Sequence, residues 1–223
     1  MPAGRRIGDF GLLVMDMDST LITIECVDEI ADMQGLKPQV SAITEAAMRG
    51  EIDFAESLRR RVSLLAGLDQ SALQRVYDER LQLSPGAETL LAAARAAGIK
   101  TLLVSGGFTF FTERLQPRLG LDYTTANTLE VADGKLTGRV LGDIVDAQGK
   151  ADWLNRVRTQ LGLRREQVIA MGDGANDLKM MAEAGVSIAY RAKPVVRAQA
   201  SYALNQVGLD GAIPLLGETG RGG

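Results

Sequence analysis

The sequence predicts an α/β protein with a parallel sheet, an inserted helical subdomain and a β-hairpin. From about Pro85 onward, short apolar runs alternate with helix-like segments, which is typical of parallel strands joined by crossover helices. Two apolar runs end in acidic clusters, at 16–18 and 172–177. Between residues 22 and 81, by contrast, apolar residues recur at helical spacing and no strand pattern is convincing.

The first strand is predicted at about residues 11–16, and it leads into the pair Asp16 and Asp18. Residues i and i+2 point to the same side of a strand, so both carboxylates leave its carboxyl end together. Open α/β sheets bind their ligands at that end. Two close carboxylates repel each other and need a counter-charge such as Mg²⁺. Taken alone, the pair also fits a turn or a helix cap.

Residues 22–82 are predicted to form a helical cap inserted into a core made of residues 1–21 and 83–223. Breaks at residues 68–71 and 84–86 contain the Ser, Pro and Gly residues that end and begin helices. The helical spacing of the apolar residues between these breaks favours several short helices over a sheet.

Two weaker signals of function follow, with a predicted hairpin between them. A strand at residues 101–104 is predicted to end in Ser105-Gly106-Gly107, whose hydroxyl and N–H groups suit a phosphate oxygen, although an ordinary glycine loop fits equally. A hairpin is predicted at 129–145, turning at residues 133–135. Lys150 is then predicted to precede a helix at 151–161, where it is either solvated or neutralises a phosphoryl group.

The last motif follows a strand predicted at residues 168–171 and precedes a helix at 178–184. It reads Gly-Asp-Gly-Ala-Asn-Asp, and its glycines permit a tight turn. An Asx turn with a helix cap explains Asp177 but explains the whole run poorly. If this strand lies beside the first one, the two acidic ends would close a metal site. Further short strands are predicted at residues 186–189 and 202–204.

Composition narrows the chemistry. The chain has 223 residues, a net charge of −3, one cysteine and no histidine. The absence of histidine excludes Ser-His and Cys-His catalysis and His-ligated zinc, so acid–base work falls on carboxylates, lysine, tyrosine or the thiol.

Nothing indicates a nucleic-acid surface, and no apolar run approaches the roughly 20 residues of a membrane span. No signal-peptide pattern is present, so we expect a cytoplasmic enzyme. The glycine-rich tail at 217–223 is expected to fray.

Taken in order, the chain reads Asp-x-Asp, Ser-Gly, Lys, Gly-Asp-Gly-x-x-Asp, and over most of its length it resembles the haloacid dehalogenase (HAD) superfamily. The finer resemblance is to the phosphoserine phosphatases of the SerB type. The segments that carry it are residues 16–21, 25–30, 104–108 and 172–177. The resemblance implies that the parallel sheet is doubly wound, as in a Rossmann-like core.

The resemblance also implies roles for the acidic residues. Asp16 would be the nucleophile that forms an aspartyl-phosphate. Asp18 would be the general acid for the leaving oxygen and then the base that activates water. Asp16, the Asp18 backbone carbonyl and Asp173 would bind Mg²⁺, the implied cofactor.

Phosphate binding is implied for a second group of residues. Ser105, the Gly106 N–H and Lys150 would hold the phosphoryl oxygens. Asn176, which we also count among the substrate-binding residues, and Asp177 would orient the waters of the metal and Lys150.

Substrate selection is implied for the cap. Glu25 would meet the substrate ammonium, Arg61 its carboxylate, and Met48 with Phe54 would line the pocket. Simpler interpretations stay open: Arg61 lies in a basic run whose members are mostly solvated, Glu25 fits a surface position, and Met48 and Phe54 fit a core.

The function implied is Mg²⁺-dependent hydrolysis of O-phospho-L-serine to L-serine and phosphate, the last step of serine biosynthesis, by a monomer or homodimer that binds only a small-molecule partner. One alternative is another small phosphate monoester, or phosphoryl transfer to an acceptor such as homoserine. A second is a phospho-accepting signalling module like a receiver domain, but such a module needs neither the Asp18 base nor the long insertion. A purely structural or binding role would leave both acidic strand ends unexplained.

Overall fold

The computed structural model describes residues 6–217, so most of the predicted fraying tail lies outside the described residues. The strands in this part of the chain are β1 (Leu12–Met15), β2 (Lys100–Phe108), β3 (Tyr123–Ala132), β4 (Lys135–Leu141), β5 (Val168–Gly172), β6 (Val186–Tyr190) and β7 (Tyr202–Leu204). The α-helices are α1 (Cys26–Met33), α2 (Lys37–Met48), α3 (Phe54–Ser63), α4 (Ser71–Glu79), α5 (Ala87–Ala96), α6 (Thr109–Leu119), α7 (Ala147–Gln160), α8 (Leu178–Ala182), α9 (Pro194–Arg197) and α10 (Ala212–Leu215). None of the helices within these limits has both the length and the apolar content that a bilayer crossing requires.

The central strands are apolar on both faces because helices cover both sides of the sheet. In β1, Leu12 and Val14 pack into one apolar cluster, whereas Leu13 and Met15 pack into the other. Strand β5 alternates between the same two clusters. This period of two is what a buried strand requires. It makes β1 and β5 the centre of a three-layer molecule.

The strand order confirms the doubly wound sheet. The strands lie in the order β4-β3-β2-β1-β5-β6-β7, and every neighbouring pair is parallel except β3 and β4. The chain therefore moves outward from β1 to β4 and then returns to place β5 on the other side of β1. Met15 pairs with Met171, so the carboxyl ends of β1 and β5 meet. Such a reversal of strand order is where α/β sheets bind ligands.

Helices α1–α4 occupy the segment predicted to be helical. An antiparallel bridge between Ile22 and Leu83 joins its two ends. Apolar side chains of these helices, such as Ile30 and Leu58, share one cluster with Phe108 of the sheet. The helices therefore pack directly on the layer that carries the strand ends. The division into cap and core stays a prediction.

Two sequence predictions about the surroundings of Ser105 and Lys150 were wrong. Strand β2 does not stop at Val104 but runs through the Ser-Gly-Gly segment to Phe108, with a shift of its register against β3. Lys150 does not precede its helix but lies inside the first turns of α7, which begins at Ala147. That helix starts early because Asp146 caps it, accepting a hydrogen bond from the Gly149 N–H at 2.8 Å.

The hairpin is confirmed, with different limits. Strands β3 and β4 are antiparallel and turn at Asp133 and Gly134, whose φ angles of 50° and 75° fit the tight turns of two-residue hairpins. However, β3 begins six residues earlier than predicted, at Tyr123 instead of 129, because its first half pairs with β2 in the main sheet. Strand β4 ends at Leu141 and helix α8 at Ala182, both earlier than predicted.

Candidate active site

A cavity of about 470 Å³ opens at the carboxyl edge of the sheet, between the ends of β1, β2 and β5 and the helices α2 and α3. All the predicted site residues except the buried Asp177 line it. They are Asp16, Asp18, Glu25, Met48, Phe54, Arg61, Ser105, Gly106, Lys150, Asp173 and Asn176.

The first acidic end is the segment 16–18 after β1, and its residue Asp16 extends the hydrogen bonding between β1 and β5 by one residue. The Asp16 N–H donates to the Met171 carbonyl at 3.0 Å, and the Asp16 carboxylate accepts from the Met17 N–H at 2.8 Å. Asp18 lies in the following tight loop, where the Cys26 N–H at the start of α1 donates to its Oδ1 at 3.4 Å. Both carboxylates therefore face the cavity from a backbone that is fixed on each side.

The second acidic end folds around Asp177. Its Oδ2 accepts from the N–H groups of Asp173 and Gly174, both at 3.1 Å. A side chain at Gly172 would overlap this carboxylate, so only glycine allows the close approach. The Thr20 hydroxyl donates to Asp173 Oδ1 at 3.1 Å and so ties the second acidic end to the first.

Lys150 joins the two ends. Its Nζ donates to Asp16 Oδ1 and to Asp177 Oδ1, each at 2.7 Å, and its side chain is 1% exposed. Burial by itself would lower the pKa of Lys150, but the two carboxylates outweigh burial and raise it. The lysine is therefore charged, and its ammonium is already paired.

The acidic cluster carries more negative charge than this lysine can neutralise. Carboxylate oxygens of Asp16, Asp173 and Asp177 lie within 4.8 Å of one another. Burial and the Asp177 charge raise the pKa of Asp173 to about 6, and the same causes raise the pKa of Asp16 well above its usual value, against the opposing effect of Lys150. An oxygen-only donor set with excess negative charge suits a hard cation, so these three residues could hold a metal ion.

Asp18 differs from these groups. Burial, followed by the Glu25 charge, raises its pKa to about 7, so it exchanges a proton near neutral pH. Its carboxylate is not part of the three-residue acidic cluster, whereas that of Asp177 is. The sequence prediction had the backbone carbonyl of Asp18 bind the metal ion. It had Asp177 orient the waters of the metal and Lys150, without binding the metal itself.

The glycines of β2 allow a close approach to both walls of the cavity. A side chain at Gly106 would come within 2.8 Å of Phe54, and one at Gly107 within 2.9 Å of Asp18 Oδ2. The Gly107 N–H donates to the buried Ser105 Oγ at 2.8 Å. Sequence reasoning missed Asn127, which donates to the Gly106 carbonyl at 2.8 Å, because an asparagine inside a strand gives no functional signal.

The helical wall carries charges of both signs. The Ser19 hydroxyl donates to Glu25 Oε1 at 2.6 Å, from a backbone with the unusual φ of +56°. Burial lowers the pKa of Arg61, and the charges of Asp28 and Glu25 oppose that change. Asp28 also lines the cavity and was missed by sequence reasoning.

The apolar residues of this wall and one further lysine complete the cavity. Phe54 at the start of α3 is half-buried, whereas Met48 at the end of α2 is 67% exposed. Sequence reasoning also missed Lys193, which follows β6 and reaches the cavity from the sheet side.

Comparison with known proteins points to one family. Residues 13–182 match the haloacid dehalogenase-like hydrolases. The chain is 57% identical to a phosphoserine phosphatase of Polaromonas sp. (strain JS666) over 216 residues, which are 95% of this chain and 92% of that protein. A HAD family hydrolase from Salmonella enterica serovar Typhi has a similar structure, with a TM-score of 0.92, 41% identity and coverage of 98% of this chain and 74% of that one. A phosphoserine phosphatase solved as a phospho-aspartyl intermediate analogue is also similar. Its TM-score is 0.86 and its sequence identity is 37%, with coverage of 92% of this chain and 98% of that one.

Proposed function

This chain belongs to the haloacid dehalogenase-like hydrolase family, and we propose that it hydrolyses O-phospho-L-serine to L-serine and phosphate, the last step of serine biosynthesis. The observation that supports this most is the contact of Lys150 with both Asp16 and Asp177, beside Asp173, at the meeting ends of β1 and β5. It brings a nucleophile, a cation and a candidate metal site to one point of a cavity large enough for a small phosphate ester.

In the first step we assign the attack to Asp16. A carboxylate oxygen of Asp16 forms a bond to phosphorus while the bond from phosphorus to the serine oxygen breaks, which leaves an aspartyl-phosphate. Asp18 donates its proton to the departing serine oxygen. A pKa of about 7 supports this role, because a large fraction of the acid form is present at neutral pH.

In the second step Asp18 works as a base. Now ionised, its carboxylate takes a proton from water as the water oxygen attacks phosphorus, and the bond between phosphorus and Asp16 breaks. Phosphate leaves, and both carboxyl groups return to their starting forms. Lys150, the Ser105 hydroxyl and the Gly106 N–H are assigned to the phosphoryl oxygens.

Mg²⁺ is the cofactor we propose. Asp16, Asp173 and the Asp18 carbonyl would hold it, with Asp177 and Asn176 as supporting residues, and the bound ion would neutralise charge on the phosphoryl group. The excess of carboxylates over lysine in this cluster and the hard oxygen donors fit such an ion.

Recognition of the amino-acid part is assigned to the helical segment 22–82, which we treat as a cap. Glu25 accepts from the substrate ammonium, and Arg61 donates to the substrate carboxylate. Phe54 and Met48 contact the carbon chain and close the cavity to water. The enzyme works on a small molecule in the cytoplasm, as monomer or homodimer.

Phosphate release from L-phosphoserine, measured with Mg²⁺ beside phosphothreonine, phosphohomoserine, sugar phosphates and p-nitrophenyl phosphate, tests this proposal. We expect the largest kcat/KM for phosphoserine, loss of activity with EDTA and recovery with Mg²⁺. A larger kcat/KM for another ester would contradict the substrate. Formation of a labelled, stable phosphoprotein without turnover would contradict the hydrolase assignment.

A further inference from the structure

Lys193 differs from the other cations of the cavity because no group in the described part of the chain pairs with its ammonium. Lys150 is bound by two carboxylates. Arg61 donates to the Ser57 carbonyl at 3.4 Å and faces the charges of Asp28 and Glu25. Within residues 6–217, no side-chain hydrogen bond or ion pair engages the Lys193 ammonium. A cation that lines a cavity without a partner is free to receive an anion.

The backbone of Lys193 is fixed close to the acidic cluster. Its N–H donates to the Asp173 carbonyl at 3.3 Å. On one side, Arg191 has a φ of +45° and its N–H is bonded to the Leu204 carbonyl at 2.8 Å. On the other side, Pro194 begins α9 and fixes the chain direction. The lysine is therefore anchored at the sheet side of the cavity, whereas Arg61 belongs to α3 on the opposite wall.

The cavity carries an excess of negative charge, which a cation at the position of Lys193 reduces. Five carboxylate side chains line it, those of Asp16, Asp18, Glu25, Asp28 and Asp173. Besides Lys193, only the cations of Lys150 and Arg61 line the cavity among the residues that the structure describes, so carboxylates outnumber cations and the dianion of a phosphate ester meets excess negative charge. An exposed cation at the mouth lowers that repulsion and raises the local concentration of an anionic substrate, an effect that salt screens.

We propose that Lys193 binds the phosphate group of the incoming substrate at the mouth of the cavity, an inference that rests on the proposed phosphatase function. This proposal predicts that two cations of the cavity bind different parts of the substrate. Lys193 acts on the phosphate end of any ester, and Arg61 acts on the carboxylate of the amino acid.

The test compares the wild type with Lys193→Gln, Lys193→Arg and the control Lys179→Gln. Lys179 is an exposed lysine outside the cavity, bonded to Gln148 at 3.2 Å. For each protein, kcat and KM are measured with phosphoserine and with p-nitrophenyl phosphate at low and high salt. Inhibition constants are measured for inorganic phosphate and for L-serine.

For Lys193→Gln we expect KM to rise about five-fold for both esters at low salt, with kcat within about two-fold. The inhibition constant of inorganic phosphate should rise in parallel and that of L-serine should not. High salt should shrink the difference, Lys193→Arg should restore KM, and Lys179→Gln should match the wild type.

An unchanged KM for both esters at low salt would overturn the inference, as would an effect confined to phosphoserine and L-serine. Loss of the proposed function is a separate result. If the enzyme cleaves p-nitrophenyl phosphate but not phosphoserine, the substrate assignment fails while the role of Lys193 is still decided by the aryl ester and by inorganic phosphate.

Discussion

At the scale of single residues, the site depends on one buried lysine shared by two carboxylates. Lys150 is fully enclosed, and so is Asp177, while Asp16 is 5% exposed. A charged network of this kind stabilises the fold only while every member has its partner, because an unpaired buried charge keeps its desolvation cost. Removing one member of the contact that we propose for catalysis should therefore also destabilise the fold.

Replacing Lys150 with methionine should both abolish turnover and destabilise the protein. The change leaves the buried Asp16 and Asp177 without their cation, for which we expect a loss of about 3–5 kcal/mol in the free energy of unfolding. Urea unfolding at pH 7.5 measures it, with Lys179→Met as the exposed control, expected to stay within about 0.5 kcal/mol of the wild type. A Lys150→Met protein of wild-type stability would show that the network does not contribute to folding.

The acidic residues should make the metal-free protein less stable as pH rises. The folded-state pKa values of about 7 for Asp18 and about 6 for Asp173 lie above the usual 3.8, so folding favours their protonated forms. Their stabilising contribution is complete below about pH 4 and is lost as pH rises through 6 and 7, at up to about 1.4 kcal/mol per pH unit for each group. Urea unfolding in EDTA between pH 5 and 8 measures the slope.

Asp18→Asn is the matched control for this slope, since asparagine cannot titrate. The variant should lose the Asp18 part of the decline, so that its free energy of unfolding falls less than that of the wild type between pH 5 and 7. Identical slopes in the two proteins would contradict the raised pKa of Asp18.

At the scale of elements, the site depends on how closely β2 passes the loop after β1. A side chain added at Gly107 would meet Asp18 Oδ2 at 2.9 Å and Ser105 Oγ at 3.0 Å, so it would have to displace them. Sequence reasoning found the Ser-Gly-Gly segment at the end of a strand, but not that the strand continues through it to Phe108, because glycines are more typical of loops. It likewise placed Lys150 before its helix, because the Asp146 cap that starts α7 earlier is recognised only by its contact with Gly149.

Gly107→Ala should lower kcat. The added methyl group would lie 2.9 Å from Asp18 Oδ2 and 3.0 Å from Ser105 Oγ, so it displaces the proposed acid and a phosphate ligand. We expect a loss of about 10–100-fold in kcat, as a displaced acid–base group would cause. Gly8→Ala, where nothing lies within 4 Å, is the control and should keep full activity. Equal kcat values for Gly107→Ala and the wild type would contradict this placement of Asp18.

At the scale of the whole molecule, the strand order creates the site. The two acidic ends are more than 150 residues apart in sequence and meet only because β5 lies beside β1. From the two acidic motifs we expected a metal site only if the strands that precede them lie side by side, as β1 and β5 do. The helical segment was predicted from the helical spacing of its apolar residues. Asn127 and Lys193 could not be predicted, because each reaches the site through tertiary packing and neither stands in a recognisable pattern. Asp28 lies in the recognised segment 25–30, but its place in the cavity also follows from packing alone.

The opposite walls of the cavity should contribute different kinetic effects. Arg61→Ala should raise KM for phosphoserine at least about ten-fold, because a charged hydrogen-bonding partner of the substrate carboxylate is lost, and should change KM for p-nitrophenyl phosphate little. Arg59, which is exposed on the same helix, supplies the control Arg59→Ala. If both esters lose equally, the selectivity role of Arg61 is wrong.

The most direct test of the central claim is to find where phosphate is attached during turnover. Rapid acid quenching of the Mg²⁺-loaded enzyme with phosphoserine labelled in its phosphate, followed by peptide mapping, identifies the modified residue. We predict a transient label on Asp16, which is absent from Asp16→Asn and disappears as L-serine and phosphate accumulate. Full turnover by Asp16→Asn, or a label on a different residue, would contradict the account.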